Sequence, residues 1–192
     1  MVCLKIGGMT VAADFTAPAL LALLALMQPQ EDVLRMIAAC VLHESAHFLA
    51  AALTCQKPDT LRISAAGMQL SLRKDALCPL SSLTAILLSG VCANLLAAAC
   101  LFRAGFSAAA QANLSLGLFN LLPYSSTDGG TLLAAFAEHL LLTRHPDRIQ
   151  PFLRRTALLT TVLLASAMCA AGIRNPSLWG MLAFMTFSEL CR

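Results

Sequence analysis

The stretch His43-Glu44-Ser45-Ala46-His47 brings two imidazoles and a carboxylate into a single helical turn's worth of chain. On a helix His43 and His47 lie on the same face, so their rings can grip one metal ion, while Glu44 beside them can take a proton from water on that metal. This is the spacing of metal-assisted hydrolysis, and zinc is the expected ion. A catalytic zinc takes three protein ligands and keeps one position open, so a third ligand must come from elsewhere in the chain. Asp128 is the strongest candidate: it stands between Pro123-Tyr124-Ser125-Ser126-Thr127 and Gly129-Gly130, where an apolar region breaks. An ionisable group in apolar surroundings is costly unless it is paired or bound to metal. The competing reading makes Thr127 or Asp128 the ordinary N-cap of the helical piece that runs on to about Leu142.

The elements that must position these residues are hydrophobic. Of 192 residues, 58% are hydrophobic and 12% charged, values that point away from a soluble globular domain and toward a multispanning membrane protein. Between Arg35 and Lys57 the only formal charge is Glu44, and the intervening length of about twenty residues is what a helix needs to cross a bilayer. The hydrolytic chemistry is therefore expected inside a membrane.

Apolar segments of spanning size run near Met9 to Met27, Val33 to Thr54, Ala76 to Phe102, Phe106 to Leu142 with an interruption at Pro123, Thr156 to Ile173 and Ser177 to Leu190. The expected fold class is an all-α membrane protein with about six transmembrane helices, a small β-hairpin after the second and a broken fourth helix. The hairpin rests on the alternation in Thr60–Ser64 and Met68–Arg73 around Gly67. It reads either as an interfacial loop or as a strand edge able to pair with an unwound substrate segment. One integral membrane domain over residues 1–192 is expected, with the catalytic core at about 33–142.

Under six spans, Lys5, Lys57, Arg62, Arg73, Lys74, Arg144, Arg148, Arg154, Arg155 and Arg192 fall on one side, and Arg35, Arg103 and Arg174 on the other. Basic residues are retained on the cytoplasmic side, which places both termini in the cytosol. Lys5 precedes an apolar stretch that Asp14 interrupts without a clear cleavage site, so a retained first span is expected there rather than a removed signal peptide. A net charge of +3, scattered over connections, gives little support to a nucleic-acid surface. The eight cysteines form no Cys-x-x-Cys pair and lie mostly in apolar runs, which suggests neither a thiolate zinc site nor a disulfide framework.

His43-Glu44-x-x-His47 together with Asn120-x-x-Pro123-x-x-x-x-Asp128-Gly129 resembles the paired signature of the site-2 proteases, the intramembrane zinc metalloproteases. Ser89-Gly90-Val91-Cys92-Ala93-Asn94 resembles the Gly-Pro-x-x-Asn element of the helix between their two metal segments, with Val91 where proline is usual. The resemblance covers roughly residues 1 to 142 and looks most like the sporulation branch, of the stage IV sporulation protein FB type. The C-terminal nucleotide-binding CBS domain that this branch often carries is not seen here.

The resemblance implies hydrolysis of a peptide bond in or near a membrane segment, in a bacterial cell membrane. It makes His43, His47 and Asp128 the zinc ligands and Glu44 the proton shuttle. Asn120 is implied as a donor to the substrate backbone or oxyanion and Asn94 as a holder of extended substrate, each weighed against an interhelical hydrogen bond. The implied partners are the lipid bilayer, a membrane-tethered protein substrate such as an inactive sigma factor precursor, and membrane regulatory proteins. A catalytically silent scaffold or binding protein of the same fold is the alternative, and it predicts loss of Glu44 or a ligand, which the sequence retains. A metal transporter would line a path through several spans rather than cluster acid, base and ligands.

Overall fold

The structure is a computed structural model and describes residues 2–6, 9–15, 18–19, 22, 25–26, 28–54, 58–64, 67–72, 79–141 and 148–191. Among them are four strands and six helices: β1 (Val2–Ile6), β2 (Met9–Ala13), α1 (Gln30–Leu53), β3 (Pro58–Ser64), β4 (Gly67–Leu72), α2 (Leu80–Arg103), α3 (Ser107–Asn120), α4 (Asp128–Leu141), α5 (Ile149–Ala170) and α6 (Pro176–Leu190). By contacts the chain divides into two compact units, Met1–Phe119 and Asn120–Arg192.

The first unit holds a sheet of order β1-β2-β3-β4. β1 and β2 pair antiparallel, from Val2 opposite Ala13 to Ile6 opposite Met9. β2 then runs parallel to β3, with Thr10 opposite Thr60, a pairing that needs a long crossover, and α1 lies within it. β3 and β4 pair antiparallel, with Ser64 opposite Gly67.

The sheet corrects one expectation. Met9–Ala13, read from hydropathy as the start of a first span, is a strand. β-branched Thr10 and Val11 suit a strand, and neighbours on both sides satisfy the backbone donors and acceptors that a helix would otherwise satisfy internally. The remainder of that expected span, to Met27, lies largely outside the described residues.

α1 opens after Pro29 with Glu31 and Asp32 in its first turn, where carboxylates suit the helix dipole. Arg35 one turn on bonds both, at 2.5 Å to Glu31 and 2.5 Å to Asp32. Its buried residues include Ala39, His43, His47 and Ala51, each four positions from the next, and α2 answers with Ile86, Gly90, Asn94 and Ala98 at the same interval. Such i, i+4 rows lie along one face of a helix, and the small members let two helices pack closely. α1 turns Leu34, Val41, Phe48 and Leu49 outward.

Two residues past α2, Gly105, with a φ of +85°, carries the chain into α3, while the Phe106 N–H reaches back to the Leu101 carbonyl at 2.9 Å. α3 lies against α2: a Cβ at Gly117 would meet Leu95 Cδ2 at 3.3 Å and Asn94 Cβ at 3.4 Å.

Three helices, α1, α2 and α5, are long and apolar enough to cross a membrane. α3 and α4 have 14 residues each and α6 has 15. At about 1.5 Å of rise per residue, none of these three alone spans a hydrocarbon core of about 30 Å. Of the about six spans expected, the described residues therefore show three as helices of spanning length, and α3, α4 and α6 as shorter ones. The expected break in the fourth region falls at residues 121–127, between α3 and α4. In the second unit α5 packs against both α4 and α6.

Candidate metal centre

His43 and His47 are both buried, at 4% and 5% exposure, on the α1 face that meets α2. Their rings stand nearly perpendicular, at 87°, with centroids 4.6 Å apart. Which nitrogen of each ring carries hydrogen follows from the neighbours. Nδ1 of His47 lies 2.7 Å from the Ile86 carbonyl, an atom that can only accept. The Ser89 hydroxyl donates to the same carbonyl at 2.6 Å.

Nδ1 of His43 lies 2.6 Å from Oδ1 of Asn94. The amide of Asn94 is itself oriented, because its nitrogen donates to the Ala39 carbonyl at 3.1 Å and to Oδ1 of Asn113 at 2.9 Å. Asn113 is oriented in turn by donating from its amide nitrogen to the Ala109 carbonyl at 3.0 Å. Both histidines therefore donate from Nδ1 and present lone pairs at Nε2. Those two Nε2 atoms face each other at 3.0 Å.

Two lone pairs turned toward each other at that distance are the arrangement that a shared cation satisfies. Two nitrogens bound tetrahedrally to zinc at about 2.0–2.1 Å stand about 3.3 Å apart, so the observed pair is within a few tenths of an ångström of that spacing. Backbing each ligand imidazole with an oxygen acceptor on its other nitrogen is also what metal-binding histidines do, since it fixes tautomer and ring orientation. The donor set fits a zinc ion.

Gly90 of α2 makes room for the pair. A Cβ there would lie 2.6 Å from His47 Nε2 and 2.7 Å from His43 Cε1, at the ring edges that would bind the ion. Glu44 is half-buried, one position beyond His43 on α1.

Asn94 joins helices. Fully buried at 0% exposure, it engages both amide hydrogens and its oxygen within the protein. Of the two expected readings, these bonds are those of an interhelical contact: they orient His43, joining α1 to α2 and, through Asn113, to α3. Asn113 was not legible as a site residue; an amide within a largely apolar run is the signal the sequence offers.

The second unit carries the other candidates. Asn120 is the last residue of α3 and Asp128 the first of α4, both half-buried. The cap of α4 is Thr127, whose Oγ1 accepts from the Gly130 N–H at 3.3 Å and donates to the carbonyls of Tyr124, at 2.9 Å, and Leu122. The cap role therefore does not fall to Asp128, which occupies the first helical position, where the dipole favours a carboxylate. Gly129 and Gly130 are required by close approach, because a Cβ on either would collide with the carbonyls of Leu121 and Tyr124.

Residues 102–164 match the model of peptidase family M50, a stretch that contains the Asn120–Gly130 break. The structure matches that of the site-2 protease from Methanocaldococcus jannaschii with a TM-score of 0.69 at 18% identity, covering 98% of this chain and 93% of that one. The two share a fold. No curated protein matches the chain in sequence. The M50 match begins after α1, so it is independent of the His43-Glu44-x-x-His47 stretch.

Proposed function

We propose that the chain is an intramembrane zinc metalloprotease that hydrolyses a peptide bond in or near a membrane segment of a membrane-tethered protein. The observation that carries this reading is the buried histidine pair, with each Nδ1 backed by an oxygen and the two Nε2 atoms 3.0 Å apart. Among the described residues, His43, His47 and Asp128 are the group of His, Cys, Asp or Glu side chains that could hold a metal, the histidines buried and the aspartate half-buried. The M50 match over the Asp128 segment and the shared site-2 protease fold support the same assignment. Three helices of spanning length support a place in the membrane.

In this reading His43, His47 and Asp128 hold zinc. The ion supplies a Lewis acid that makes water nucleophilic near neutral pH and polarises the scissile carbonyl. Glu44 takes the proton from the attacking water and delivers it to the leaving amide nitrogen. Asn94, Asn113 and the Ile86 carbonyl keep both imidazoles in the tautomer that binds. Asn120 donates to the substrate backbone or to the oxygen on which charge develops.

The finer assignments rest on the sequence resemblance and on the distribution of basic residues. These are the sporulation branch with a pro-sigma factor as substrate, a bacterial membrane, and both termini in the cytosol. The test is co-expression of the chain with candidate membrane-tethered substrates, comparing the native protein with Glu44→Gln and Asp128→Asn. Both substitutions are expected to abolish cleavage; undiminished product from either rejects the role given to that residue.

A further inference from the structure

Glu189 plays no part in the chemistry above, yet it is a carboxylate only 7% exposed and the sole charged residue of the apolar α6. An acid in such a place is costly unless a specific partner pairs with it. Its Oε1 accepts two hydrogen bonds from one residue, the Ser125 backbone N–H at 2.6 Å and the Ser125 hydroxyl at 2.5 Å. Ser125 lies in the break between α3 and α4, where no helical carbonyl is in place to take its N–H, three residues before Asp128.

The residues beside it are held from the same side. Tyr124, 1% exposed, places its hydroxyl 2.8 Å from Thr161 Oγ1 on α5, and Thr186 of α6 donates to that same oxygen at 3.3 Å. The Ser126 hydroxyl lies 3.8 Å from Met185 Sδ on α6. Consecutive residues of the break are thus fastened to α5 and α6, and the only charge-assisted bonds among these, the strongest kind, come from Glu189.

We propose that Glu189 is a positioning residue: through Ser125 it fixes the segment that aims the Asp128 carboxylate at the metal. This rests on the reading of Asp128 as a ligand. Glutamine at position 189 can accept the same two bonds through its amide oxygen, whereas leucine can accept none.

The test uses the purified full-length chain as native protein, Glu189→Gln, Glu189→Leu and Ser125→Ala. Three quantities are read: backbone amide exchange over residues 124–130, zinc affinity by chelator competition, and cleavage of a membrane-tethered substrate. Glu189→Leu is expected to speed exchange at Ser125 and to lower zinc affinity and cleavage by up to about 10-fold, the lower end of the effect of losing a partner bonded directly to a ligand. Glu189→Gln is expected to stay close to native in all three.

If the leucine variant does not fold, Ser125→Ala, which removes the hydroxyl bond alone, is expected to shift the same quantities in the same direction by less. Native zinc affinity and exchange in Glu189→Leu or, failing that, in Ser125→Ala overturn the proposal, as does a glutamine variant as impaired as the leucine one. A native protein that binds zinc and loses affinity in Glu189→Leu, but cleaves nothing, upholds the positioning role and overturns the proteolytic reading instead.

Discussion

His43 and His47 sit on an unbroken helix, whereas Asp128 stands at the first position after a break, and the two regions keep their side chains in place by different means. In the first, regular i, i+4 rows on α1 and α2 bring the rings against a glycine and an asparagine, and the orienting bonds run from helix to helix. In the second, irregular backbone is fastened bond by bond: Thr127 caps α4, Thr161 holds Tyr124 and Glu189 holds Ser125. Regular geometry can place two identical ligands one turn apart. A third ligand arriving from a different segment needs a scaffold of its own.

The largest effect is expected at Gly90. Gly90→Ala puts a Cβ 2.6 Å from His47 Nε2, against rings that are held from behind by Ile86 and Asn94 and cannot retreat. Zinc binding and cleavage are expected to be lost together while the helices still form, with metal content and circular dichroism of the purified variant as the check. Metal content equal to native in that variant would mean that the rings do not face the α2 backbone as described.

A smaller effect is expected at Asn94. Asn94→Leu removes the acceptor that fixes His43 and leaves the Asn113 carbonyl without its donor, so zinc affinity is expected to fall about 10- to 100-fold. Chelator competition measures it, and an unchanged affinity would return Asn94 to the role of substrate contact. The smallest effect is expected in the second region, at the cap. Thr127→Ala is expected to cost about 1 kcal/mol of stability, with Thr127→Ser largely restoring it, as read by unfolding in detergent. A full loss of metal from Thr127→Ala alone would show that the break depends on its cap rather than on the spread of bonds to α5 and α6.

The same contrast explains what the sequence made legible. The one-turn spacing of His43 and His47 is local, and so is the break announced by Pro123 and Gly129-Gly130; both were readable. What was missed depends on partners far along the chain. Asn94 meets His43 across 51 positions and Glu189 meets Ser125 across 64, and no periodicity encodes such pairings. A single carboxylate in an otherwise apolar helix is nonetheless a signal, since an ionisable group in apolar surroundings is costly unless it is paired.

The N-terminus failed differently. Hydropathy merged Met9–Ala13 with the apolar residues that follow, although Gly7-Gly8 between two short runs is a hairpin signal. Cumulative apolarity outweighed the local turn chemistry in that reading.

In the proposed site, two imidazoles from α1 and the carboxylate that opens α4 hold one zinc ion. Metal analysis of the purified full-length chain tests it most directly, with native protein beside Glu44→Gln and Asp128→Asn. One zinc per chain is expected in the native protein and in Glu44→Gln, with marked loss in Asp128→Asn. Native protein that takes up no transition metal, or an Asp128→Asn variant that holds it as tightly as native, would contradict the account.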